Sequence, residues 1–486
     1  MAKRDKSTFE RLRADRLNRK QKRELSRKVA DGDPSLSIVN PNAGGIDVGN
    51  ESHFASVPSD RDPNPVHEFG CWTSDLIRMA EWFVSCRIDT VAVQATGVYW
   101  IALDEVLTRH GIRVVLVNAR NTRNVPGRKT DVQECQWLMK LHTYGLLRDS
   151  FRPSREMEGV RTIWRLRDRH VAEAGRAVQH MQKALTEMNI QIANAISDIT
   201  GVSGMKIVTA ILDGQRDPYI LADLRDKRVR ASREEVARSL EGTWREDLLF
   251  ELDQALKSYR FIHKQMEECD KRLEGYLKKL PNVPAVPLAA ENQQPAPKKT
   301  KKTKKTKKVR DNQPRIANLE EELTRICGVN LCSIDGISVI TAQTIVAEIG
   351  TDMKAFATEK NFTSWLGLTP GKDFSGGSVV SKGKRKVKNR VAAALRMAAT
   401  TLLKSGSYLG ARYRHLRRQL PSKKAAVKAM ARHLGELVYR LFTHGQAWVD
   451  RGAAYYEKRR KEIDLARLTS LAGAKGFRLI PFAQAS

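Results

Sequence analysis

Five residues in this chain have types and settings that could do chemistry. Asp47 interrupts the apolar run GGIDVGNESHFASV, Gln94 ends the strand-like VAVQATGVYW, and Asp131 and Glu134 open GRKTDVQECQWLMKLHTYGLL. Ser375 stands beside two glycines in DFSGGSVVSKGKRK. Carboxylates that converge can hold two divalent ions, which clamp the attacking and leaving oxygens of a phosphodiester. Asp131 and Glu134 are three apart, so they share one helical face and could chelate a metal together. Thr130 can cap the same helix, so an ordinary acidic first turn also accounts for them. Gln94 is an amide where a carboxylate would serve better: its oxygen can ligate Mg²⁺ but brings no negative charge. A serine next to glycines can bring its hydroxyl close to a phosphate, and Lys382, Lys384, Arg385, Lys386, Lys388 and Arg390 would hold the anionic backbone. Plain turn chemistry also explains such a serine.

These residues need elements to hold them. AGGIDVGNESHFASVP, PVHEFGCW, DTVAVQATG and RVVLVNA are strand-like runs, the first turning back on itself after Asn50. A helix over Leu76 to Cys86 and a second in TGVYWIALDEVLTRHG, closed by Gly111, alternate with the later strands. That order indicates an α/β domain with Asp47 on its first strand and Gln94 at the end of its fourth. The RNase H-like architecture begins in this way, with a carboxylate on the first strand, another at the end of the fourth, and more on a later helix. From about Arg155 to Ile199 the pattern is long and helical, with Val160, Ile163, Trp164, Leu166, Val171, Val178, Met181, Leu185 and Met188 recurring at three and four; Glu241 to Leu280 repeats it up to Pro281. Two such segments predict an antiparallel helical pair, a spacer or dimerisation element.

The segment from Pro281 to Arg315 carries eight Lys within residues 298–308 among prolines and reads as an extended linker. After it, SIDGISVITAQTIVAEIG resembles a helix-hairpin-helix, whose helix N-terminus could offer N–H groups to phosphate, and ITGVSGMKIVTAILDG looks like a looser copy. The serine lies in a glycine-punctuated loop that passes into the apolar helix RVAAALRMAATTLL.

Composition narrows the partners. The chain has 486 residues and a formal net charge of +31, with a pI near 10.0. The charge is spread along the chain, so a polyanion, above all nucleic acid, is the expected ligand. Twelve Lys and Arg fall by Lys28, as in a basic arm that orders on a polyanion. No apolar run reaches the roughly 18 to 20 residues of a membrane span, and the charged N-terminus does not read as a signal peptide, so a cytoplasmic protein is expected. Six cysteines without C-x-x-C spacing read as reduced thiols rather than zinc ligands or disulfides.

With these pieces in order, residues from about 43 to 460 resemble the DEDD transposases of bacterial insertion sequences, specifically the family numbered 110 and its subgroup numbered 1111. The stretches that carry the resemblance are GIDVGNESHFASVP, ATGVYWIALDEVL, GRKTDVQECQWLMKLHTYGLLRDSFRP, SWLGLTPGKDFSGGSV and RKVKNRVAAALRMAA. The resemblance implies an α/β RNase H-like (RuvC-like) domain at 43–150, preceded by the basic arm at 1–42. It also implies a helical coiled-coil dimerisation segment at 151–282, the linker at 283–318, and a mainly α C-terminal transposase domain at 319–486 with helix-hairpin-helix-like elements. Asp47 matches the first acidic residue of the family, Gln94 occupies the second, usually Glu, and Asp131 matches the third. Glu134 stands where the fourth is commonly Asp, and Ser375 matches the nucleophilic serine.

Implied with them are two Mg²⁺ or Mn²⁺ ions, donor and target double-stranded DNA, a structured noncoding bridge RNA, and a homodimer assembling into a tetramer in the cytoplasm, associated with the nucleoid. Two other readings remain open. One is a RuvC-like nuclease or junction resolvase that uses water and leaves Ser375 structural. The other is a nucleic-acid-binding protein whose site Gln94 has weakened.

Overall fold

The computed structural model describes residues 24–25, 27–29, 31–32, 35–94, 97–118, 130–284, 312–369, 373–375, 378–381, 389–445 and 452–479. The chain divides into two compact units, Met1–Arg152 with Phe374–Val379, and Pro153–Asp373 with Val380–Ser486.

In the first unit five strands form one mixed sheet: β1 (Ala43–Val48), β2 (Ser52–Ser56), β3 (Val66–Gly70), β4 (Thr90–Gln94) and β5 (Arg113–Val117). Their order across the sheet is β3-β2-β1-β4-β5. The first three are antiparallel neighbours, while β4 and β5 run parallel to β1. Parallel pairing needs crossovers, which α1 (Thr73–Ser85) and α2 (Trp100–Arg109) supply. The first expected helix thus starts three residues earlier than its apolar pattern. One face of the sheet, with Ile46, Val48, Val91, Val93 and Leu116, packs on Leu76, Met79, Phe83, Leu103 and Leu107 of these helices. The other face, with Ala92, Val115 and Val117, is covered by Leu138 of α3 (Asp131–Thr143). At the end of the basic arm, Leu25 and Val29 are buried in a cluster with Leu141 of the same helix. Beyond α3 the chain seals the edge of β5: Ser150 N–H donates to Leu116 O at 2.7 Å, and Arg152 donates to Val114 O at 2.9 Å.

The second unit is helical. α4 (Arg155–Glu187) and α9 (Glu246–Lys279) pack as an antiparallel pair. Gly159 faces Tyr276, Lys183 reaches Glu251, and Thr243 N–H donates to Met188 O. The expected stripe is shifted at its centre: Ile163, Leu166, Val171 and Val178 are half-buried flanks, and Arg167, Ala174 and Ala177 take the buried positions. Between the two long helices lie α5 (Ile192–Ala195), α6 (Val202–Leu212), α7 (Pro218–Asp223) and α8 (Arg233–Arg238). They close a core around Ile207, Val208, Ile211, Leu221 and Leu240.

After residue 312 come α10 (Leu319–Cys327), α11 (Val339–Ile349), α12 (Glu359–Trp365), α13 (Arg390–Thr401), α14 (Tyr408–Gln419), α15 (Lys423–His444) and α16 (Gly452–Ala474). The expected glycine loop before α13 is not wholly irregular. β6 (Asp373–Ser375) and β7 (Ser378–Ser381) pair as a two-stranded sheet.

Candidate active site

The two glycines ahead of Ile46 set the geometry of the site. Successive strand residues face opposite sides, so Gly44 looks toward α1 and Gly45 toward α3. A methyl group at Gly44 would come 2.7 Å from the Phe83 ring. One at Gly45 would overlap the backbone of Cys135 and Met139, so α3 rests directly on β1. Asp47 has the parity of Gly45 and therefore faces α3. The register pairs Gly45 with Ala92 and Ile46 with Val93, which brings Asp47 beside Gln94 on the neighbouring parallel strand. Ala92 faces Leu138, so Gln94, two residues on, shares that face. Both are half-buried and stand at the carboxyl ends of their strands.

α3 runs antiparallel to β1. Near its C-terminus the Asn40 amide donates to His142 O at 2.7 Å, and the His142 ring meets Thr90 Oγ1 at 2.9 Å. One to two turns earlier Cys135 and Met139 lie over Gly45. One turn further toward the N-terminus come Asp131 and Glu134, four residues before the buried Cys135 and Leu138, so they continue the sheet-facing stripe past the strand ends. Thr130 caps the helix in a reciprocal capping box: Gln133 N–H donates to its hydroxyl at 3.3 Å, while the Gln133 side chain accepts from Thr130 N–H at 3.4 Å. The acidic first turn is thus what a well-capped helix would carry in any case. Its position over the ends of β1 and β4 is what capping alone does not explain.

Cys135 lies beneath Asp47. Burial pushes its thiol up to about 11, and the Asp47 charge adds to the effect. It is therefore a neutral wall of the site and not a nucleophile. The oxygen donors of Asp47, Gln94, Asp131 and Glu134 have the hard chemistry that Mg²⁺ takes. Among the described residues, however, no three His, Cys, Asp or Glu side chains are gathered so as to hold a metal ion.

Ser375 is the last residue of β6 and belongs to Phe374–Val379, the stretch that groups with the first unit. Lys382, Lys384, Arg385, Lys386 and Lys388 lie outside the described residues. Arg390, expected to meet nucleic acid, opens α13 and pairs with Asp168, with Glu348 at 3.8 Å. Glu348 is nearly buried and also accepts from Arg161 and Arg165. Arg390 thus links α13 to α4 and α11.

Residues 44–190 match a family model for DEDD transposases of the IS110 type, described as Transposase, and residues 329–414 match one described as Transposase IS116/IS110/IS902 family. Both models describe IS110-type transposases, and together they match two separate stretches of the chain. No curated protein matches it. The mixed sheet is consistent with an RNase H-like DEDD transposase, and most of the other match falls in the helical second unit, with Phe374–Val379 in the first. Such domains act on DNA, and DEDD transposases generally use divalent metal ions.

The residues of this candidate site that the sequence did not reveal are structural supports. Gly45 seats the acidic helix, and Cys135 lines the floor below Asp47. Arg152 fastens α2 through Asp104 at 2.7 Å while lying over the Trp100 ring. Only Gly45 left a trace in the sequence, as a glycine inside a strand, which signals close approach of another backbone.

Proposed function

We propose that this chain is an insertion-sequence recombinase of the subgroup numbered 1111, which cuts and exchanges DNA strands through Ser375 under the guidance of a structured bridge RNA. The observation that carries the reading is the placement of Asp47 beside Gln94 at the ends of β1 and β4, under the helix whose first turn bears Asp131 and Glu134, in a chain with two matches to transposase models of the IS110 type. Asp47, Gln94, Asp131 and Glu134 would hold two Mg²⁺ or Mn²⁺ ions. When bound, these ions polarise the scissile phosphate and neutralise charge on the leaving oxygen.

The Ser375 hydroxyl attacks phosphorus and loses its proton, forming a phosphoserine ester as the bond to the leaving DNA oxygen breaks and that oxygen takes up a proton. One phosphodiester replaces another, so a hydroxyl of a second duplex can reverse the step without ATP. The grouping of Phe374–Val379 with the first unit supports an acid and serine site shared within that unit. The sequence alone had placed the two in separate domains. The remaining parts of the proposal are the basic arm and Lys-rich segment as phosphate-tracking elements, the short 3-10 turn Leu331–Ser333 with α11 as a helix-hairpin-helix-like element, and a dimer built on α4 and α9. Among the described residues no helix is long and apolar enough to cross a membrane, and the nucleoid is the proposed location.

A trapped covalent protein–DNA adduct that disappears in Ser375→Ala is the expected result. Free nicked product without an adduct would favour a water-using nuclease. Asp131→Ala should abolish exchange and spare binding of a discrete co-purifying RNA; loss of RNA binding in that variant would make Asp131 structural. Gln94 favours one second reading, a weakened site that binds nucleic acid with little turnover. Gln94→Glu separates the two: a gain in Mg²⁺-dependent exchange places residue 94 among the ligands, and no change places it outside.

A further inference from the structure

Far along the chain from the acids, α14 and α16 pack together inside the second unit. They enclose a cavity of about 180 Å³ walled by Tyr408, Arg412, His415, Tyr456, Arg459 and Arg460. Pockets that take drug-sized ligands run from roughly 300 to 1,000 Å³, so this one has room for a single planar ring or a phosphate. Its aromatic walls are set at an angle: Tyr408 meets Tyr456 edge to face at 5.0 Å, and the His415 ring centre is 6.1 Å from that of Tyr456.

The polar groups are left incomplete. Arg412 Nε and His415 Nε2 are buried without a hydrogen-bond partner among the described residues, and folded proteins seldom leave buried donors in that state. Arg460 is held by Asp464 at 2.6 Å, whereas no carboxylate pairs with Arg412 or Arg459 among the described residues. Burial, reinforced by Arg460, holds the His415 ring below the usual histidine range. Near neutral pH its Nε2 can therefore donate or accept a single hydrogen bond.

A ligand that fits needs a flat π-face, an edge able to form one or two hydrogen bonds, and negative charge. A nucleotide has all three, and only an unpaired one can turn its base out of the stack to enter. We infer that this cavity takes one unpaired nucleotide of a bound single strand. Its base enters the cavity against Tyr456, beside the His415 ring, and its phosphate stays outside at the exposed Arg459. The strand can be DNA or RNA, which supply the same chemistry. The inference does not depend on the reaction at Asp47.

The test uses the full chain and short single-stranded oligonucleotides carrying iodouracil, one set DNA and one RNA. After irradiation, the crosslinked peptides are mapped by mass spectrometry. An adduct on Tyr456 or Tyr408 is expected, and the probe that yields it identifies the strand. No adduct between residues 405 and 463 from either probe overturns the inference. Tyr456→Ala should weaken single-strand binding about tenfold, in the range that stacking on one aromatic ring supplies, with duplex binding unchanged. Tyr456→Trp should restore it. Equal weakening for single strand and duplex, with an unchanged thermal transition, would also overturn the pocket.

Discussion

Gly45 and Asp47 lie two residues apart on one face of β1, and the first determines what the second can meet. Because a methyl at position 45 would run into the backbone of α3, Gly45→Ala must displace the helix that carries Asp131 and Glu134. Denaturant unfolding should register about 1–3 kcal/mol of lost stability, the usual cost of overpacking. Gly44→Ala should cost less, since its closest contacts are the Phe83 and Val91 side chains, with Ser56 O at 3.3 Å, and no helix backbone overlaps it. His142, on the same helix, should make the protein acid-sensitive. Burial lowers its folded pKa from 6.5 to about 4, so the unfolded chain takes up the proton first as the pH falls. The stabilisation is complete above about pH 6.5 and is lost progressively toward pH 4, on the order of 3 kcal/mol in all. His142→Gln should flatten unfolding free energy against pH over that window. Asp47 and Gln94 were legible in the sequence because strand period and strand order depend on local pattern. Gly45 showed only as a glycine inside a strand, a sign of close approach that names no partner, because the partner backbone arrives 90 residues later in the chain.

At the scale of elements, α4 and α9 owe their length to apolar periodicity, which the sequence displays openly, but their alignment to a pair that it conceals. Arg167 and Asp270 are 3% and 4% exposed and bonded side to side, at 2.5 and 3.2 Å. A charged residue on a helical pattern reads as solvated until its partner, about a hundred residues away, is known. Removing one partner leaves the other charge buried and unpaired. Asp270→Ala should therefore cost about 3–5 kcal/mol in chemical denaturation, whereas replacing both residues with apolar ones of similar volume should cost far less. The paired β6 and β7 escaped the sequence reading for a different reason. Strands of three and four residues are too short to show alternation, and only the Gly-Gly between them marked a turn.

Across the whole molecule, the linker expected at 283–318 has its Lys-rich part, 285–311, outside the described residues, and the described residues on either side of it are fastened inside the same unit. On the departing side Val283 N–H donates to Arg325 O at 3.1 Å. On the returning side Arg315 N–H donates to Asp270 at 2.9 Å, and Asn312 O accepts from Arg167 at 3.2 Å. The buried ion pair therefore also secures the point where the chain comes back. Doubling the length of chain between two fixed points costs only about 0.6 kcal/mol. Inserting a folded reporter domain there should leave the thermal transition of the host nearly unchanged, which differential scanning calorimetry would read. A clear fall in that transition would show that the stretch bears on the fold. If the transition holds, this is a port for grafting cargo onto the protein, such as a fluorophore or an affinity handle, without disturbing either compact unit.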